Sequence, residues 1–448
     1  MNKSLKYADS KGIDYAELRT TTAINSSIKL NNRKVEEIGS SEEKLYSVRI
    51  LHNGAFGMAN STNPEFNNLI DMALKSAKSV KKELRLHKIP DIKKRINTPF
   101  KKSLLDIDIS KKKSVLQNLE KLRKNYPKVK SLVLRQADSV MDYSLINSHG
   151  ADLKWKDSRI IFAAFAFSQN GTRQENYFDL KRGHYGYELM NEAPKITKLA
   201  LDFSQKLLKA KSAKGGNFPV VLDQDLGGVF THEAIGHATE ADAVLNGETV
   251  LKDKLNKIIA SSNVTIIDDG TQNSNGWIPF DDDGTKTKSN VLINKGELKK
   301  YLQSLETASI MNVNPTGNGR SEDISCNIIP RMTNTFLDRG DSNLNEMIKS
   351  IKEGYYIVGS NGGQVDPSRG EFLFNGKHGF VIKNGEIKDL VKGVSLTGNI
   401  LDIMPKINLI AKDLQLRAGM CGKCSQTVPV SVGSPHFKID MARVGGQK

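Results

Sequence analysis

Thr231-His-Glu-Ala-Ile-Gly-His-Ala-Thr-Glu-Ala-Asp242 is the stretch on which the reading of the chain turns. It contains His232, Glu233 and His237, a His-Glu-x-x-x-His pattern. Zinc peptidases commonly use His-Glu-x-x-His, because residues four apart share one helical face and both imidazoles reach one ion. Here the spacing is five, which on an ideal helix leaves the two imidazoles roughly 140° apart. They can meet at one metal only if the helix is distorted. A single π-type turn brings the fifth residue back towards the first, and Gly236, just before the second histidine, lowers the cost of that deviation. Two histidines and a glutamate satisfied within a core are the bland alternative, and spacing alone does not separate it from a metal site.

Just upstream, Phe218-Pro-Val-Val-Leu222 reads as a buried strand, and Asp223 or Asp225 can cap the helix that follows. Beyond the motif the chain is mostly short strands and glycine turns, including similar hairpins at 291–299 and 381–388. Upstream, residues 13–60 alternate as strands, with turns at Asn31-Asn32 and Asn53-Gly54. Helical spacing is expected over 67–86, 109–126 and about 195–209, with strands returning over 129–178. The longest apolar run, from Ile160 to Phe167, is too short to cross a bilayer and reads as a buried strand.

Composition breaks near residue 210. Residues 1–210 hold 39 Lys+Arg against 23 Asp+Glu, whereas residues 211–448 hold 27 of each, so the first stretch carries the whole net charge of +16. Glycine is skewed the other way, 8 against 28. With the polar segment Lys211-Ser-Ala-Lys-Gly-Gly216 between them, two domains are expected, 1–210 and 215–448. The basic excess, densest between Lys81 and Lys130, could attract acidic peptides or nucleic acid. No nucleic-acid motif accompanies it, and a solvated helical face is the favoured reading. Three cysteines, Cys326, Cys421 and Cys424, make no disulfide framework, and Met1 is not followed by the apolar core of a secretory signal. A cytoplasmic protein without membrane spans is the expectation. Cys326 is expected to be a buried hydrophobe, and His436 to lie at the surface. No Gly-Lys-Ser/Thr follows the glycine-rich pieces near Gly359 and Gly362, which disfavours phosphate binding.

The wider pattern is more specific. After the motif helix come Asp268-Asp-Gly270, Phe280-Asp-Asp-Asp-Gly284, Pro315-Thr-Gly-Asn318, Pro330-Arg-Met-Thr-Asn-Thr335, Gly362-Gly-Gln-Val-Asp-Pro367, Gly398-Asn399, Met420-Cys-Gly-Lys423, Val428-Pro-Val430 and Gly433-Ser-Pro435. In this order they resemble the TldD branch of the TldD/PmbA family over nearly all of 215–446, and more loosely at Asp14–Arg19 and Val48–Ile50. The resemblance implies an α+β protein: an amino-terminal sheet-plus-helix domain and a larger β-rich carboxy-terminal domain bearing zinc.

It also implies Cys421 as the third ligand, giving a His2Cys site for Zn2+ with one position open. Glu233, directly after His232, would take a proton from a zinc-activated water and return it to the leaving amine. Glu240 and Asp242 either orient a ligand histidine or simply end the helix. Cys424 departs from the family pattern, and Cys421-Gly-Lys-Cys424 can also be read as a redox pair or a second thiolate on the ion. Two-subunit assemblies are implied, with a PmbA-type partner or a second copy enclosing a channel for short or unfolded peptides. The competing functions are a non-catalytic PmbA-like scaffold and a nucleic-acid-associated regulator.

Overall fold

The computed structural model describes residues 1–79 and 83–446 of the 448-residue chain. The first half is built on long antiparallel strands. Tyr15–Asn31 and Lys34–His52 form one hairpin, turning at Asn32 and Arg33 with φ of 45° and 72°. A second turn, at Asn53 and Gly54, also has positive φ at both positions, the geometry that matches strand twist, and leads into Ala55–Ser61. Tyr15–Asn31 pairs on its other side with Val129–Asn147, which pairs in turn with Asp152–Asn170. Lys93–Asn97 and Arg173–Gly183 both pair with that last strand, completing seven strands.

Alternation puts Leu132, Leu134 and Val140 on one face, where they pack beneath the helices Ile109–Glu120 and Ala193–Leu207. Further along the same sheet Val48 and Ile50 pack with Leu69, Ile70 and Ala73 of the helix Phe66–Lys78. That helix is shorter than the spacing over 67–86 suggests: it stops at Lys78, residues 83–86 are not helical, and 80–82 lie outside the described residues. The apolar run from Ile160 to Phe167 is strand, as expected, although Phe167 is exposed.

In the second half Gly216–Leu222 is central to an eight-stranded sheet, between Glu353–Asp366 (parallel) and Phe437–Gly445 (antiparallel). A six-stranded sheet contains the hairpin of Gln415–Lys423 and Gln426–Ser434. The helical segment 224–239 packs against strands of both sheets. Its close approach requires glycine: a Cβ on Gly228 would lie 2.9 Å from the backbone nitrogen of Gly433. Around the segment lies the largest apolar cluster, including Leu222, Phe230, Ile235, Phe374 and Phe437. The architecture is α+β, as expected.

Several features lie where the halves meet. Lys211–Ser212, read from sequence as a polar linker, pairs parallel with Val391–Lys392 in the second sheet. Arg49 of the first sheet forms a buried ion pair with Asp283. His378, on the strand Glu371–Lys383, packs against Phe203 and Tyr177 with ring centroids 4.6 and 5.9 Å apart. Among the described residues no helix is long and apolar enough to cross a membrane.

Candidate metal centre

Asp223 starts the helix that carries the motif. Its carboxylate accepts the Leu226 N–H at 2.9 Å and, on the other oxygen, the Gly359 N–H at 3.0 Å. Regular α-helix runs from Gln224 to Thr231, a single π turn spans His232–Gly236, and a 3₁₀ turn ends the segment at Thr239. The distortion demanded by the five-residue spacing is therefore present, and it starts at the first histidine. Gly236 serves it differently from the expectation. Its φ of −54° is ordinary, and what requires glycine is space: a Cβ there would sit 1.8 Å from Sδ of the fully buried Met332.

The π turn brings the two imidazoles to a centroid distance of 5.2 Å, nearly perpendicular at 83°. Cys421 arrives from the strand Gln415–Lys423, and its Sγ lies 3.3 Å from His237 Nε2. One donor atom from each of His232, His237 and Cys421 falls within 4.8 Å of the others, close enough for the three to hold one metal ion. Burial works against ionisation of the Cys421 thiol, but the two imidazoles outweigh it and hold its pKa down at about 4. A thiolate with two imidazoles suits a borderline-soft divalent cation. Cys424 is not part of this group. It lies at the exposed tip of the hairpin with φ of 50°.

Glu233 stands beside the group without joining it, one carboxylate oxygen 3.8 Å from His237 Nε2. The side chains of Glu233 and His237 remain 23% and 12% exposed, whereas His232 and Cys421 are 3% exposed, so the cluster opens to solvent on the Glu233 side.

Behind the cluster lies a buried charged network. His237 Nδ1 and the Glu240 carboxylate are 2.9 Å apart, which leaves Nε2 facing Cys421. Glu240 is fully buried. Desolvation alone would raise its pKa, but His237, Lys423 and Arg331 hold it down at about 2. Burial likewise opposes protonation of His237, and Glu240 and Cys421 overcome it. Lys423 donates to Asp242 at 2.7 Å and lies 3.0 Å from Glu240. Arg331 donates to the Cys421 carbonyl at 2.6 Å, tying that strand to the network. Glu240 thus orients a histidine, while Asp242 acts at one remove, through Lys423. His232 has no matching carboxylate, and its Nδ1 is buried without a hydrogen-bond partner among the described residues.

In the sequence, Lys423 and Arg331 stand out only as parts of longer motifs. Lys423 stands two residues from Cys421 on one strand, a spacing that places both on the same face, so its position was accessible to inspection. No comparable signal marks Arg331. Two side expectations are corrected. His436 is buried, its Nδ1 2.6 Å from Asp413 and its Nε2 2.9 Å from the Tyr356 hydroxyl. Cys326 is only half-buried, because it follows a turn capped by Asp323 rather than lying on a core strand.

Two family models match the chain: the PmbA/TldA metallopeptidase C-terminal domain over residues 215–446, and the PmbA/TldA metallopeptidase domain 1 over 16–79. A metalloprotease of Methanocaldococcus jannaschii is 37% identical over 432 residues, 94% of each chain. A protein of Saccharolobus solfataricus named as a zinc metalloprotease TldD homolog is 29% identical over the full length of both chains. The crystal structure of TldE from Thermococcus kodakarensis superposes with a TM-score of 0.82 over 100% of both chains at 20% identity, a likeness of fold. The motif order, the matched domains and the full-length relatives agree: this chain belongs to the TldD/PmbA family of metallopeptidases.

Proposed function

We propose that the chain is a zinc-dependent peptidase in which His232, His237 and Cys421 hold Zn2+ and Glu233 is the general base. The observation that carries this reading is the meeting of the three donors within 4.8 Å, with a partly exposed glutamate beside them. The donor set fits the ion: three protein ligands of nitrogen and sulfur type, open on one side. Zinc, when bound, supplies the Lewis acid that polarises the peptide carbonyl and lowers the pKa of water to about 7. Glu233 accepts a proton from the attacking water and passes it to the departing amine, a role for which its position beside His237 Nε2 suits it. Glu240 keeps the proton of His237 on Nδ1, so Nε2 stays free as a donor atom.

The substrates in this reading are short or unfolded peptides, taken up as extended strands in a cytoplasmic assembly of two subunits. The second subunit is a PmbA-type partner or another copy of this chain. The division into a basic domain, 1–210, and a metallopeptidase domain, 215–448, belongs to the same proposal, residues 447 and 448 lying outside the described residues. Digestion of an unstructured peptide by the wild type and by Glu233→Gln tests it. The variant should keep its zinc and lose at least about 100-fold in cleavage rate. Cleavage by Glu233→Gln at the wild-type rate would remove the glutamate from the mechanism.

A further inference from the structure

A cavity of about 560 Å³ lies on the face of the first sheet opposite its helices. One cross-strand row runs along its floor: Gly39, Ser27, Ala137, Ile161 and Arg182, each paired with the next. Three small residues in succession leave the room, and Arg182 stands at the end of the row. Arg159, on the neighbouring strand, lines the same end. The opposite wall is Met420 and Pro429, cross-strand partners in the hairpin that carries Cys421. Met420 is exposed while the next residue, Cys421, is buried, so the cavity and the thiol lie on two faces of one hairpin. Asn275 fixes that wall to the first sheet. It donates to the carbonyls of Gly419 and Val430 at 2.8 and 3.0 Å, and its own carbonyl accepts from Arg159 at 2.8 Å.

The two guanidiniums differ. Arg159 is satisfied by Asp157 at 2.6 Å and by Asn275. Arg182 makes no ion pair or hydrogen bond to any described residue, and its Nε is fully buried. Burial and the charges of Arg135 and Arg159 all weigh against its protonated form, and no carboxylate offsets them. A half-buried cation whose Nε is shut off from water and which has no counter-charge is costly to fold, and a planar fork with its donors free matches a carboxylate in two-point geometry.

We infer that this cavity is a subsite for a carboxylate of the peptide, received by Arg182 with Arg159 beside it, while the chain passes the outer face of the Met420–Pro429 hairpin. The inference rests on the peptidase reading for the identity of its ligand. The carboxylate belongs either to an acidic side chain or to the peptide's own terminus.

The test measures binding of labelled peptides to the Glu233→Gln protein by fluorescence anisotropy, so that binding is read without cleavage. Four peptides of one sequence carry Glu or Gln at one position and a free or amidated carboxy terminus. Peptides bearing a carboxylate should bind about tenfold tighter than the fully neutral one, as expected for a charge-assisted pair. Adding Arg182→Gln should erase that preference. If only the terminal change matters, the source is the terminus; if only the Glu/Gln change matters, it is the side chain. Ile161→Glu provides a second variant should Arg182→Gln fail to fold, since it sets an internal carboxylate directly opposite Arg182 and should also erase the preference. Equal affinity for all four peptides, or a preference that survives in both variants, overturns the inference. So does a short single-stranded oligonucleotide that binds more tightly than any peptide through Arg182. Cleavage by the wild type is scored separately: cleavage without carboxylate preference removes only the subsite, and preference without cleavage removes only the peptidase reading.

Discussion

At the scale of single residues, the centre depends on a histidine held by a carboxylate that is itself held by two cations. Glu240 meets His237 Nδ1 at 2.9 Å and Lys423 at 3.0 Å, and Arg331 stands 4.0 Å away. Replacing the carboxylate by an amide removes its charge and leaves the ring free to turn. Glu240→Gln should therefore weaken zinc affinity by about 10–100-fold, measured by competition with a chromogenic chelator. Unchanged affinity would mean that packing alone fixes His237. Much of this was legible in the chain. His232, Glu233 and His237 stand out by residue type, Cys421 came from the family resemblance, and Glu240 was singled out as one of two candidates. Arg331 was not, because its contacts to Cys421 and Glu240 join residues 90 or more apart, which local pattern does not reveal.

At the scale of elements, the centre exists because one helix changes its winding for a single turn. The five-residue spacing foretold the π turn over His232–Gly236, since no regular helix puts both imidazoles on one side. The reason for Gly236 was misread, however: backbone freedom is a local property visible in sequence, whereas the crowding by Met332 is tertiary. A Cβ at position 236 must displace a buried side chain, so Gly236→Ala should cost about 1–3 kcal/mol of stability in urea unfolding. If the clash with Met332 is the cause, Met332→Ala should lose less in the Gly236→Ala background than in the wild type. Additive losses would point instead to the turn itself. The long strands and the turn at Asn53-Gly54 were also legible, because alternation and Asn-Gly pairs are short-range signals, whereas the first turn falls at Asn32-Arg33, one residue beyond the expected Asn31-Asn32. The pairing of Lys211–Ser212 with Val391–Lys392 was not, because it joins segments about 180 residues apart.

At the scale of the whole molecule, the basic first half and the neutral second half meet across buried groups. His378 is one of them, 2% exposed among Phe203, Tyr177 and Phe380. Burial, with Lys377 and Lys206, lowers its pKa to about 4. The unfolded chain, with an ordinary value near 6.5, then binds more protons between those limits, so stability is full above about pH 6.5 and falls towards pH 4. The shift amounts to about 3 kcal/mol. His378→Phe should flatten that part of the urea-midpoint profile, and an unchanged profile would place the acid sensitivity elsewhere. At the centre, a bent helix and a distant strand bring together three donors for a single ion. Metal analysis of purified protein tests this arrangement most directly, comparing wild type, Cys421→Ser and Cys424→Ser. About one zinc per chain is expected in the wild type and in Cys424→Ser, with little in Cys421→Ser. Zinc retained by Cys421→Ser but lost from Cys424→Ser would contradict it.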